Sequence, residues 1–119
     1  MSADNQQERL DENWVVGFVD GEGCFYVGIN SPGNKLQILP EFRVVQHQRD
    51  EELLLKLKNF FGCGSVNKNH DDRKELRIRG IDNLKKIVEF FERNKLQTKK
   101  RKDFEKFAEI IKMISEKKH

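Results

Sequence analysis

Two acids flank a glycine in the stretch Val15-Val16-Gly17-Phe18-Val19-Asp20-Gly21-Glu22-Gly23, and a further glycine follows at once. A carboxylate projected from the end of a helix, beside a free backbone carbonyl, is a hard-oxygen site suited to Mg²⁺. The same Asp-Gly-Glu-Gly string also serves as a plain polar turn, and residue types alone leave both readings open. Gly17 and Gly21 stand four apart, so they share one helix face and strip it of bulk. That spacing either admits a second helix backbone to backbone or reflects crowding within the chain and a C-cap. A second set of polar residues is spread over four strand-like segments: Tyr26, Asn30, Gln37, Glu41, Arg43, Asn67, Asn69, Glu75, Arg77 and Arg79. Arg, Asn and Gln pair bidentately with guanine and adenine edges in the major groove of DNA. The competing reading is an ordinary solvated sheet face.

Such residues act only if elements hold them in place. Asp11 or Asn13 caps a helix carrying Trp14, Val15, Phe18 and Val19 on its apolar side, and the glycines at 21 and 23 end it. Phe25, Val27 and Ile29 then alternate with Cys24, Tyr26, Gly28 and Asn30, which is strand periodicity. Ser31-Pro32-Gly33-Asn34 is a turn by composition. A return strand runs from about Leu36 to Gln46, with Phe42 and Val44 on one face and Gln37, Glu41 and Arg43 on the other. Asp50 caps a second helix with Leu53, Leu54, Leu57, Phe60 and Phe61, stopped by Gly62-Cys63-Gly64. Ser65 to Asn69 and Lys74 to Arg79 form a second hairpin. Asp82 caps a third helix, and a basic connector from Asn94 to Lys102 leads into a last one with Phe104, Phe107, Ala108, Ile111 and Ile114. The order α-β-β-α-β-β-α-α predicts an α+β fold, with helices covering the apolar face of one four-stranded antiparallel sheet.

Composition bounds the class. The chain has 119 residues, 36% of them charged and 36% hydrophobic, with nine Phe to build a core. That is one domain's worth of polypeptide, read here as a flexible lead-in over residues 1–12 and a single domain over 13–119. The net charge is only +3, but it is unevenly placed: from Arg93 to His119 ten Lys/Arg stand against four Asp/Glu. A basic end and basic strands can give a positive face despite a mild total. Cys24 and Cys63 are far apart and lack metal-ligand spacing, so they read as thiols in a reducing compartment. No apolar run reaches the length of a membrane helix. The acidic N-terminal stretch reads as neither a secretion signal nor a transit peptide. Secreted mini-proteins, membrane proteins and zinc modules are therefore disfavoured.

The nine residues from Val15 to Gly23 resemble the LAGLIDADG signature of homing endonucleases. Gly17, Asp20, Gly21 and Gly23 fit it directly, apolar residues stand where it has them, and Glu22 replaces its second acid. Cys24-Phe25 and the later Gly62-Cys63-Gly64 are similar to the fungal organellar branch, and the likeness extends over roughly 13–115. The resemblance implies a site-specific DNA endonuclease in which two motif helices pack about a twofold or pseudo-twofold axis. Glu22 is then the metal ligand, with the Gly21 carbonyl beside it, and Asp20 shapes the helix end. The cofactor implied is Mg²⁺, with Mn²⁺ or Ca²⁺ able to occupy the same site. Gln46, in the pattern Phe-x-Val-x-Gln, resembles the polar residue that positions the attacking water. Lys100 best matches the family's connector lysine, with Lys99 as its rival. Arg49 could stabilise phosphate charge in the same way, and His47 and His70 read as surface or DNA-contacting residues.

One motif and no internal repeat imply pairing. The expected partners are double-stranded DNA and a second copy of the chain, joined through Trp14, Gly17, Phe18 and Gly21. Half of a two-repeat enzyme is the open alternative. The expected reaction is hydrolysis of both strands of a near-palindromic target to leave short 3′ overhangs, in a mitochondrion or chloroplast. An RNA-splicing maturase or a non-catalytic DNA-binding protein on the same scaffold are the rival functions. The acid retained at Glu22 favours the enzyme.

Overall fold

A computed structural model describes residues 9–117. Its elements follow the expected order: α1 (Glu12–Glu22), β1 (Gly23–Asn30), β2 (Gln37–His47), α2 (Glu51–Phe61), β3 (Ser65–Lys68), β4 (Arg73–Ile78), α3 (Ile81–Arg93) and α4 (Lys100–Lys117). Short 3₁₀ turns at Pro32–Asn34 and Gln48–Asp50 fill the two connections around β2. Of the lead-in expected over 1–12, residues 1–8 lie outside the described residues. From there on the chain is engaged: the Arg9 guanidinium lies over the Phe60 ring, and Leu10 packs against the core.

The four strands form one antiparallel sheet in the order β1-β2-β4-β3. Both hairpins join through their second strands, which sets Arg43 directly opposite Arg77. The helices cover one face. Its core holds Val15 and Val19 from α1, Phe42 and Val44 from β2, Leu76 and Ile78 from β4, and the apolar stripes of α2, α3 and α4. Phe25 lies between sheet and helices, with its ring centroid 5.3 to 5.7 Å from those of Phe42, Phe91, Phe104 and Phe107. Among the described residues no helix is long and apolar enough to cross a membrane.

The caps show how local chemistry fixes the boundaries. The Asp11 carboxylate accepts from the Trp14 amide, so Asp11 rather than Asn13 starts α1. Gly62 ends α2 in the left-handed region (φ 76), as a glycine after a helix commonly does. Two expected caps differ. Asp50 stands at the start of α2 but makes no side-chain cap bond. α3 begins two residues earlier than expected, because Gly80 (φ 91) turns the chain and leaves Asp82 in the first turn, where its charge favours the helix dipole.

Candidate active site and binding face

The junction of α1 with β1 is built on Gly23. A Cβ there would stand 2.6 Å from Val19 Cγ1 and 3.1 Å from the Val19 carbonyl oxygen, so only glycine lets the chain pass from helix to strand at this angle. The turn leaves Glu22 exposed at the helix end. β2 ends beside it, and the Gln46 amide donates to Glu22 Oε1 at 2.9 Å and to the Val45 carbonyl at 2.9 Å. From the far end of the chain, the Lys100 ammonium donates to the Gly23 carbonyl. Three residues singled out in the sequence, Glu22, Gln46 and Lys100, thus meet around one helix terminus. Lys99 is exposed and has no such partner.

Asp20 does more than shape the helix end. Its carboxylate accepts from the Gln97 amide at 2.9 Å and the Thr98 amide at 3.1 Å, and the Thr98 hydroxyl lies 2.9 Å from Oδ1. The Thr98 hydroxyl oxygen in turn accepts from the Lys100 amide at 3.2 Å. One carboxylate therefore ties the basic connector to α1 and fixes where α4 starts. Sequence reading missed this, since the partners are 77 residues apart and no local pattern links them.

A metal at this terminus would meet hard oxygens only: the Glu22 carboxylate and the Gly21 carbonyl. The described residues contain no group of three or more His, Cys, Asp or Glu able to hold an ion. That donor set suits Mg²⁺ or Ca²⁺ completed by water, phosphate oxygens and a second acid, and does not suit a closed protein cage.

The uncovered face of the sheet carries the polar set. The Arg43 guanidinium sits 4.1 Å from the Tyr26 ring centroid, a cation–π stack. Asn67 donates to the Ser65 hydroxyl and Asn69 to Glu75 Oε2. Asn30 and Gln37 pair at the distal end of the first hairpin and are exposed. Two residues of the expected DNA-contacting set are placed below the surface of the face. Glu41 and Glu75 were expected to reach DNA, yet they are only 5% and 6% exposed. Glu41 is sunk beneath the guanidinium groups of Arg43, Arg77 and Arg79, and Glu75 beneath those of Arg43 and Arg77, because strand alternation puts Arg43 and Arg77 on the same face as the acid two positions before each. His47 is held by Asp72 at 2.9 Å, and its Nδ1 accepts from the Arg49 amide, so it serves the loop before α2.

The side of α1 that carries Trp14, Gly17 and Gly21 is exposed among the described residues. Trp14 is 43% exposed and stacks on Phe18, with ring centroids 5.0 Å apart and planes 8° from parallel. A Cβ built at Gly17 or Gly21 would meet nothing within 4 Å. Crowding among the described residues therefore does not explain these two glycines.

Comparison with known proteins follows the same residues. A model described as LAGLIDADG endonuclease matches residues 15–111. A Neurospora crassa protein named "Probable intron-encoded endonuclease 2" is 34% identical over 110 residues, covering 90% of this chain and 23% of its own length. A Podospora anserina relative is likewise covered over only 26% of its length, so the chain spans a minor part of the curated fungal relatives it matches. The crystal structure of the homing endonuclease I-TnaI superposes with a TM-score of 0.89 at 57% identity, over 93% of this chain and 78% of that one. I-SmaMI, solved on an uncleaved DNA target in the presence of calcium ions, superposes at 0.86 with 26% identity, over 92% of this chain and 39% of its own. By motif, by matched length and by fold, this chain belongs to the LAGLIDADG endonuclease family.

Proposed function

We propose that the chain is one half of a site-specific double-strand DNA endonuclease, paired through α1 with a second motif helix, most simply that of another copy. The observation that carries this reading is the meeting of Glu22, Gln46 and Lys100 at the end of an exposed small-residue helix. Beside them the sheet offers a face of arginines able to read base edges. Glu22 and the Gly21 carbonyl would hold the divalent ion, which when bound supplies a polarised water and neutralises phosphate charge. Gln46 orients Glu22 through its amide and keeps a carbonyl oxygen free to align the attacking water. The attacking water gives up a proton to solvent as its oxygen bonds to phosphorus, the bond from phosphorus to the bridging oxygen breaks, and the leaving oxygen takes up a proton from solvent. Lys100, once released from the Gly23 carbonyl, faces the negative charge that builds on the phosphate.

Pairing explains the double cut. Two α1 helices about a twofold axis would set two Glu22 carboxylates side by side, one for each strand of a near-palindromic target, with short 3′ overhangs as product. The fungal intron-encoded relatives support an organellar origin. Incubation with Mg²⁺ and a randomised duplex library, followed by sequencing of cut ends, tests the reading. Cleavage at one family of sites by the wild type, and none by Glu22→Gln, is the expected result. Binding to duplex without any cut would favour a non-catalytic DNA-binding protein, and selective binding to structured RNA would favour a maturase.

A further inference from the structure

Arg43 and Arg77 stand directly opposite each other on β2 and β4, an arrangement of like charges that opposes strand pairing. Two acids resolve the conflict. Glu41 Oε1 lies 3.3 Å from Arg43 Nε and 3.4 Å from Arg77 Nε, and its Oε2 accepts from Arg79 Nε at 2.7 Å. Glu75 lies 2.9 Å from Arg77 Nη2 and 3.7 Å from Arg43 Nη1, and it also accepts from Asn69. The acids are at the floor and the guanidinium groups above them: the glutamate side chains are 7% exposed, those of Arg43, Arg77 and Arg79 26%, 35% and 62%. Arg77 Nε is buried and makes no hydrogen bond of good geometry, so Arg77 is clamped by ion pairing at that atom. Tyr26 closes the lattice from β1 by stacking on Arg43.

Buried carboxylates beneath a face meant for a polyanion need a reason. Stability alone is a weak one, since such lattices give back in desolvation much of what they gain. We infer that Glu41 and Glu75 are positioning residues for base readout, which hold Arg43, Arg77 and Arg79 in fixed orientation and limit the face to a small net positive charge. This rests on the DNA-binding reading above. Free arginines would bind any phosphate backbone through charge, whereas arginines anchored from below offer a fixed fork to one base pattern. Their rotamer freedom is already spent before DNA arrives, which favours the matching sequence. Removing one acid frees the arginines and adds a positive charge to the face. The inference therefore predicts opposite signs for two quantities: non-specific affinity rises while discrimination falls.

The test compares wild type, Glu41→Gln and Glu75→Gln, each checked for fold by thermal melting. Binding is measured in EDTA, where no strand is cut, on duplexes selected from a random pool and on bulk non-specific duplex. Each variant is expected to bind non-specific duplex at least as tightly as wild type, with a salt slope steeper by up to about one. Its ratio of specific to non-specific affinity is expected to fall about ten-fold, the worth of one good bidentate pair. In the DNA-free protein, the arginine Nε–H NMR signals protected in wild type should exchange rapidly in the variants. Should Glu41→Gln fail to fold, Glu75→Gln carries the same readouts with Glu41 still in place. Unchanged base preferences, or an equal loss of specific and non-specific binding, would overturn the inference. A wild type that selects no sequence while its Nε–H signals stay protected locates the failure in the DNA reading and overturns the readout role with it.

Discussion

Glu22 has one side-chain partner, Gln46, and otherwise faces solvent. Glu22→Gln keeps an oxygen and the shape but removes the charge a divalent ion needs. Cleavage is therefore expected to vanish while binding in EDTA persists, as gel shift and cutting assays on one duplex would show. Lys100→Ala should slow cutting by a smaller factor, about 10²-fold, in line with losing a single charge-stabilising donor. Lys99→Ala should cut nearly normally, and the reverse order would move the assignment by one residue. Asp20→Ala attacks the same chemistry through the connector: it orphans the Gln97 and Thr98 amides and loosens the start of α4. Its expected signature is a loss of about 1–2 kcal/mol in stability and a fall in cutting rate that Lys100→Ala does not deepen further. Cys24, exposed on the open face, should alkylate readily and be shielded by bound duplex, whereas burial raises the Cys63 thiol pKa and slows its reaction with or without DNA. Equal reactivity of Cys24 with and without duplex, read by mass spectrometry, would remove DNA from that face. Glu22 and Gln46 were singled out through the family resemblance, one by the motif and the other by the pattern Phe-x-Val-x-Gln, and the fold brings them within hydrogen-bond distance. The clamps made by Asp20, Glu41 and Glu75 were not legible in the sequence, since each depends on residues that only the folded sheet brings near.

Two glycines of one helix and its exit separate packing within the chain from packing outside it. Gly23→Ala drives a methyl to 2.6 Å from Val19 Cγ1, and Val19 is fully buried. The junction must shift, at a cost of about 1–3 kcal/mol, and Glu22 moves with it, so both melting temperature and cutting should fall. Gly17→Ala meets nothing within 4 Å among the described residues. In a mid-helix position it should stabilise α1 by about 0.5–1 kcal/mol, so a melt of dilute protein should rise even where pairing weakens. The elements themselves could be read from periodicity: alternation in β1 and β2, 3–4 spacing in α2 and α3, and glycines at the stops. The order β1-β2-β4-β3 could not. Each hairpin closes through local pairing, but which edges then join is decided by the common core under Phe25 and Phe42. For the same reason the pairing of Arg43 with Arg77 has no trace in either strand alone.

At the scale of the whole molecule, charge and symmetry have to work together. Basic residues gather after Arg93 and on the open face, so neutralising the Lys-rich start of α4 should weaken all duplexes alike and lower the salt slope by about 0.9 for each phosphate no longer neutralised. Changes at Arg43, Arg77 or Arg79 should instead relax single base positions. On the proposed reading, two cuts need two copies of Glu22, and neither effect supplies the second. The face proposed to receive the missing half is the outer side of α1, where exposed Trp14 stacks on half-buried Phe18 and a Cβ at Gly17 or Gly21 would meet nothing among the described residues. A valine at Gly17 would hold a partner helix off by roughly the thickness of its side chain, away from the close approach that small residues permit. Paired carboxylates would then miss the two phosphates, although the isolated fold has room for the substitution. Gly17→Val is thus expected to be folded, monomeric or loosely paired in sedimentation, and unable to cut or to hold a full-length target tightly. Wild type should pair, at the latest on its cognate duplex. A wild type that sediments as a monomer on that duplex and still cuts both strands would defeat this assignment of the α1 face.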